Sequence, residues 1–328
     1  QRHRQRDQPR RQYCPVSLHP PGMRTRNHTA APPDFQSFAG PASLGSPRLG
    51  CYESHEMTTE TERGRADLLA WRESKADNWF SSDENLGKVL ALRLGDDRFR
   101  QERARLEQVG QMVSSELSRL AVETNEDANL PRLERYDGLG VRTEAVIFHP
   151  SYHEAGRLVW QTGVLADYAT PGNEVAQMAL LYLFAQAGEY GHQCPLACTA
   201  GLIKVLQKSG SAEQKQKWLP RLLSRDYSER LHGSQFLTEV QGGSDVGTNA
   251  VVAKQDGDRW RIFGEKWFCS VIDAQLFLMT ARPEGAPPGT RGLGLFVVPR
   301  NVDGRTNDFQ VRRLKKKLGT RAMASAET

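Results

Sequence analysis

From about residue 77 the chain carries apolar positions at helical spacing. In the stretch that begins at Phe99, the positions Leu106, Val109, Met112, Val113, Leu117 and Leu120 recur at steps of three and four, with Arg103, Arg105, Glu107 and Glu116 opposite. This marks an amphipathic helix with one buried face. A second helix, from about Asn173 to Gly188, is apolar on nearly all sides through Val175, Met178, Ala179, Leu181, Leu183 and Phe184, and is expected to lie buried between others. Pro195 suits a first helical turn, and the helix through Leu202 and Val205 is expected to end at Gly210. Ser211-Ala212-Glu213-Gln214 reads as a capping box that opens a further helix, which Pro220 bends or ends. On this pattern residues 77 to about 230 are all-helical.

After His232-Gly233 the period changes to two. Ala250–Lys254 and Arg259–Phe263 flank Asp256-Gly257, a hairpin signal because both turn residues tolerate positive φ. Leu276–Thr280 and Leu293–Val298 are further strands, separated by a turn rich in Pro and Gly. The order predicts an α+β protein, with an all-helical N-terminal domain over 76–232 followed by an antiparallel, meandering β-domain over 233–328. It speaks against alternating βαβ units and their parallel sheet.

Residues 1–75 fit neither pattern, and the first 60 or so, rich in Arg, Gln, Pro, Gly and Ser, read as disordered. Their composition suits an extension or mis-assigned start, a targeting segment or a nucleic-acid-binding arm. They also account for the charge. The 328 residues sum to +5, but residues 1–50 hold eight Arg against two Asp, so the remainder is nearly neutral and the basicity does not mark a nucleic-acid-binding body. The longest apolar run, Ala179–Ala185, is far short of the roughly 20 residues of a membrane span, so no membrane association is expected. Cys14, Cys51, Cys194, Cys198 and Cys269 are few and unpatterned. That points to a reducing compartment, cytoplasmic with a mitochondrial alternative. Cys194 and Cys198 beside His192 form at most half of a metal site.

The dinucleotide fingerprint, the P-loop, HExxH and GxSxG motifs do not occur. Chemistry concentrates instead at the junction of helices and strands. In Phe236–Asp245 two adjacent glycines, Gly242 and Gly243, allow a ligand close to backbone N–H groups, and Thr238 and Ser244 add hydroxyls. Such a loop cradles a phosphate or is an ordinary turn. In Gly264–Ser270 the aromatics Trp267 and Phe268 beside Ser270 either wall a flat ring or belong to a half-buried strand. Together the clusters offer phosphate donors and a ring platform, the needs of a flavin dinucleotide.

Thr238-Glu239-x-x-Gly242-Gly243-Ser244-Asp245, then Gly264-Glu265-Lys266-Trp267-Phe268-x-Ser270, then Lys317-Leu318-Gly319-Thr320-Arg321-Ala322, in this order, resemble the β-domain of the acyl-CoA dehydrogenase flavoprotein family. Within it the likeness is to the AidB-type branch, through Val146–His153, Gly191-His192-x-Cys194-Pro195 and the doubled glycine before Ser244. The resemblance covers about residues 77–328. It implies FAD as cofactor, an acyl-CoA thioester as substrate, α,β-dehydrogenation as reaction and a homo-oligomer. It further implies a C-terminal helical bundle, not found before Thr328, that carries the catalytic base and any DNA-binding surface. By position it assigns Thr238 to the flavin ring, Ser244 to the pyrophosphate and Trp267, Phe268 and Ser270 to the strand packed on the isoalloxazine, with Leu237 and Gly243 completing the cofactor set. No residue here is assigned as catalytic base, since Glu239 and Asp245 fall in the flavin-loop turn. The expectation is therefore an FAD-dependent acyl-CoA dehydrogenase-like fragment. A DNA-associated alkylation-response protein with structural flavin, or an inactive truncated product, is the alternative. Arg312–Lys317 reads as a solvated strand-and-turn face.

Overall fold

The computed structural model describes residues 59–328. The arginine-rich stretch, Cys14 and Cys51 lie outside the described residues. Helix α1 (Glu60–Glu73) falls inside the segment read as an extension, and it buries no residue, which is why no apolar period marks it. Helix α2 (Glu84–Leu94) starts at Asp83, whose carboxylate accepts the Leu86 N–H at 2.8 Å.

The long amphipathic stretch forms α3 (Asp96–Met112) and α4 (Ser118–Asn125), joined without a break by one π-helical turn, Val113–Leu117. Ser115 Oγ donates to Gln111 O at 2.7 Å and Ser118 Oγ to Val113 O at 2.7 Å. Hydroxyls that bond back to the preceding turn open a helix in this way. Val113, Leu117 and Leu120 all lie on the buried side.

Residues 77–230 are not all-helical. Strands β1 (Arg132–Tyr136) and β2 (Arg142–Ile147) pair antiparallel in their midst. The connecting turn is built by Asp137, whose side chain accepts the N–H groups of Leu139 and Val141, each at 2.9 Å. The hairpin is tied to a distant segment: Glu144 Oε2 accepts the Val311 N–H at 2.7 Å, and Arg135 donates to Val311 O at 3.1 Å. Its partners are far along the chain, so the local pattern gives little notice of it.

Helices α5 (Pro150–Gln161), α6 (Glu174–Gln186), α7 (Gln193–Ser209) and α8 (Ala212–Leu222) follow. The α8 capping box forms as expected, with Gln214 N donating to Ser211 Oγ at 3.1 Å and Ser211 N to Gln214 Oε1 at 2.9 Å. Pro220 sits inside the last turn, and the helix runs on to Leu222. Helix α6 is buried on one side only: Ala179, Leu180, Leu183 and Phe184 are in the core, whereas Met178 and Tyr182 are exposed. Tyr182 is accommodated at the surface because its hydroxyl donates to Asp83 Oδ2 at 2.8 Å.

The strand region contains β3 (Gly233–Phe236), β4 (Val252–Asp256), β5 (Arg259–Phe263), β6 (Cys269–Ser270), β7 (Leu276–Pro283), β8 (Gly294–Pro299), β9 (Asn301–Val302), β10 (Arg305–Thr306), β11 (Arg313–Leu314) and β12 (Ser325–Glu327). The β4–β5 hairpin forms, but Asp256 is its last paired residue, opposite Arg259, so the turn is Gly257-Asp258, one position on from the expected Asp256-Gly257, with positive φ at Gly257 (63°) alone. The sheet is mixed rather than purely antiparallel. β7 pairs antiparallel with β8, but β3 and then β4 both run parallel to it. Long crossovers separate those partners, so local alternation does not reveal their direction. A smaller sheet has the order β11-β12-β6. One apolar core lies among the helices around Trp160, Leu183 and Phe184, and a second, with Phe236, Cys269, Ile272 and Phe277, lies under the strands. Among the described residues no helix is long and apolar enough to cross a membrane.

Candidate functional site

The loop after β3 and the segment leading into β6 meet directly. The Trp267 N–H donates to Thr238 O at 2.9 Å, so the two clusters singled out in the sequence are side by side. Beneath this contact lies a buried ion pair, Lys266 Nζ to Glu239 Oε1 at 2.7 Å, with the two side chains 2% and 3% exposed. Nζ also reaches Leu237 O and Thr280 Oγ1, each at 3.3 Å. Glu239 accepts further from Ala250 N at 2.6 Å, Val251 N at 3.3 Å and Gln241 Nε2 at 2.7 Å. Burial works to raise the Glu239 pKa, but the Lys266 ammonium and the Ala250 N–H outweigh it and hold the carboxyl below its ordinary range. Burial lowers the Lys266 pKa, with Glu239 offsetting part of the shift. Every acceptor site of Glu239 is thus engaged, which makes it a pin for the loop rather than a base facing a ligand.

Above the pin the loop is open. Glu239 N and Gly242 O, and Gly242 N and Glu239 O, close a tight reversal at 3.2 and 3.1 Å. The N–H groups of the following Gly243 and Ser244 donate to no other described residue, and both residues are exposed. A Cβ added at Gly243 would stand 3.2 Å from both Thr238 Cγ2 and Thr238 Oγ1, so a side chain there crowds the hydroxyl. Two adjacent free N–H donors flanked by the Thr238 and Ser244 hydroxyls fit a phosphate group. Asp245 is used locally: its side chain accepts the Gly247 N–H at 3.1 Å and caps a short 3₁₀ turn, Val246–Thr248.

Of the expected set, Thr238, Gly243 and Ser244 lie on this open loop and Trp267 adjoins it. Leu237 contributes a carbonyl already taken by Lys266 and by Asn249 Nδ2 at 3.1 Å. Phe268 is 46% exposed. Ser270 sits on β6 opposite Ser325, their hydroxyls 3.4 Å apart. The chain then turns sharply with Val271 at φ 55°, a left-handed conformation that a β-branched residue rarely adopts.

Lys315 is the residue that sequence reasoning missed. Its Nζ lies 3.2 Å from the centroid of the Trp267 ring and 4.7 Å from that of Phe268, while pairing with Glu327 at 2.9 Å. The basic run is therefore not a freely solvated face. Arg313 also binds Glu327, Arg312 pairs with Glu265, and Lys317 Nζ donates to Met323 O at 2.6 Å and Ser325 Oγ at 3.1 Å. The alternation of Arg313, Lys315 and Lys317 was the available signal, since alternate residues of a strand share a face. A shallow depression of about 230 Å³ lies beside the loop, lined by Glu239, Val240, Gln241, Ala250, Val251, Gly264 and Glu265. None of the seven expected residues lines it, so the candidate site is an open ledge and not this hollow. No group of three or more His, Cys, Asp or Glu side chains able to hold a metal ion occurs among the described residues.

This architecture, helices followed by a mixed sheet with the open loop at their junction, is that of the acyl-CoA dehydrogenases, flavoprotein oxidoreductases, and the chain belongs to that family. Residues 234–328 match the acyl-CoA dehydrogenase middle domain. Residues 71–229 match the N-terminal domain of the adaptive response protein AidB, which places the chain on the AidB-type branch. AidB of Escherichia coli (strain K12) is 37% identical over 242 residues, covering 67% of this chain and 41% of AidB. Acyl-CoA dehydrogenase family member 11 of Caenorhabditis elegans is 32% identical over 265 residues, 76% of this chain and 42% of that protein. The solved structure of Caenorhabditis elegans ACDH-11 in complex with C11-CoA superposes with a TM-score of 0.69 at 31% identity, over 76% of this chain and 44% of that one. The chain spans about two fifths of the length of these curated relatives.

Proposed function

We propose that the protein is an FAD-dependent oxidoreductase of the AidB type that acts on an acyl-CoA thioester, with the cofactor on the ledge formed by Leu237, Thr238, Gly243, Ser244, Trp267, Phe268 and Ser270. The observation that carries this reading is the 2.9 Å bond from Trp267 N to Thr238 O, which sets a loop with two unpaired N–H donors against an aromatic segment. Family membership supports the cofactor, and the C11-CoA bound by ACDH-11 supports the substrate class.

In this reading the free N–H groups of Gly243 and Ser244 and the Ser244 hydroxyl hold the pyrophosphate. The hydroxyls of Thr238 and Ser270 meet the polar edge of the ring. Trp267 and Phe268 pack against its flat surface, and because Lys315 covers one face of Trp267, the ring meets the other face or the edge. The Glu239–Lys266 pair keeps the loop in place, so its donors need no rearrangement when the ligand arrives. When bound, FAD would supply the hydride acceptor that α,β-dehydrogenation of an acyl thioester needs. Glu239 and Asp245 are both committed to the loop itself, and neither is proposed as the base.

The test is to mix the full chain with FAD, remove free flavin by gel filtration, and add a medium-chain acyl-CoA under argon. Retained flavin whose visible absorption bleaches or shifts on adding acyl-CoA is the expected result. Retained flavin that ignores acyl-CoA would remove the substrate assignment, and a folded protein that retains none would remove the cofactor site.

A further inference from the structure

The first turns of α7 place two thiols in contact: Cys194 Sγ and Cys198 Sγ are 3.8 Å apart, both partly accessible. They pack against the apolar cluster under the strands. We propose that Cys194 and Cys198 form a redox-active dithiol that reacts with low-molecular-weight disulfides and closes an intrahelical disulfide.

The geometry carries this. Residues four apart on a helix have Cα atoms about 6 Å apart, within the span of a disulfide. Their Cβ atoms, about 5–6 Å apart, are wider than a relaxed disulfide, so closure must tighten the turn. The place suits that movement. Cys194 is the second residue of α7, where its own N–H has no partner among the described residues and Pro195 has no N–H to anchor, although Leu196 N already bonds His192 O at 2.9 Å. A bond closed under strain is readily reduced, which distinguishes a reversible site from a structural cross-link.

The electrostatics divide the labour. The Cys198 S–H bond to Cys194, opposed by burial and aided by Ser270 and Lys317, brings the Cys194 pKa down to about 7, with Glu189 the one neighbour acting against it. The same bond and burial push the Cys198 thiol up. Cys194 is therefore the attacking group. Its thiolate attacks one sulfur of the small disulfide, forming a mixed disulfide and expelling a thiolate, which is protonated by water. Cys198 then gives its proton to solvent and attacks Cys194 Sγ, expelling the second small thiol. The small disulfide is reduced to two thiols and the protein pair loses two hydrogens. The chemistry does not require a flavin on the ledge.

Cys194 and Cys198 fall in a single tryptic peptide, residues 158–204. The full chain is incubated with glutathione disulfide, quenched in acid, alkylated, digested and weighed. The expected peptide is lighter by two hydrogens and carries no alkyl group, and dithiothreitol restores two alkylatable thiols. Cys198→Ser is expected to stop at a glutathione adduct on Cys194. In the reduced protein at neutral pH, Cys194 is expected to react with a maleimide at least about tenfold faster than Cys269, whose thiol burial pushes up to about 12. A wild-type peptide that keeps two free thiols, or that carries glutathione unresolved by Cys198, overturns the proposal without reference to any variant.

Discussion

Between α3, the π-helical turn and α6, the interior is filled by Leu117, Leu120, Leu180 and Leu183, all essentially without exposure. Under the loop at 237–245 the interior is equally inaccessible, but its centre is the charge pair Glu239–Lys266, with Asn249 and Thr280 around it. The first region gains by removing apolar surface from water, at roughly 25 cal/mol per Å². The second must recover the desolvation of two ions through short bonds, so it contributes little net stability and much positional definition. The folding unit is held by the leucines, whereas the loop proposed to meet the cofactor is held by the pair.

This difference can be broken at either end. Leu183→Ala should cost about 3–4 kcal/mol of unfolding free energy, through lost transfer energy and an unfilled cavity, measured by urea denaturation. The cost should be the same at pH 7 and pH 5, because no titrating group is involved. Lys266→Met should cost about 3 kcal/mol at pH 7, leaving Glu239 buried without its counter-ion. This deficit should depend on pH. With its folded pKa depressed, Glu239 stabilises the wild type fully above its unfolded pKa of about 4.3, and that stabilisation is lost as pH falls through the folded value. In the variant the carboxyl protonates more readily, so the gap between the two proteins should narrow on acidification. A gap that stays constant in urea melts at pH 7 and pH 4 would mean that the pair is not what holds the loop. Smaller still, Ser211→Ala removes the α8 cap, away from both regions, and should cost about 1 kcal/mol at either pH in the same assay.

The helical elements were legible wherever apolar spacing and end signals coincided, as in α3 and the Ser211–Gln214 box. The β4–β5 hairpin was legible for the same local reason, although its turn falls one residue later, at Gly257-Asp258. Features that depend on distant partners were not. The β1–β2 hairpin leans on Val311, β3 and β4 find β7 across long connections, and the π turn shares the apolar face that made it look like ordinary helix. At the site the two clusters were visible from residue types, but their pin was not. Glu239 reads as one more turn carboxylate until Lys266, 27 residues on, is seen to close on it. Lys315 was hidden in a basic run whose alternation went unused, and Val271 gives no sign in its identity that it adopts positive φ.

At Gly243 stability and binding separate. An added methyl group there crowds Thr238 by a few tenths of an ångström, at a backbone φ that alanine accepts, so Gly243→Ala should change unfolding free energy by less than about 1 kcal/mol. The decisive measurement is a titration of FAD fluorescence with the full chain and with Gly243→Ala, alongside thermal melts of both. Saturable quenching by the wild type is expected, weakened about tenfold or more in the variant, with melting temperatures only a few degrees apart. A folded wild type that does not quench, or two proteins that bind FAD equally well, would contradict a cofactor site at Gly243.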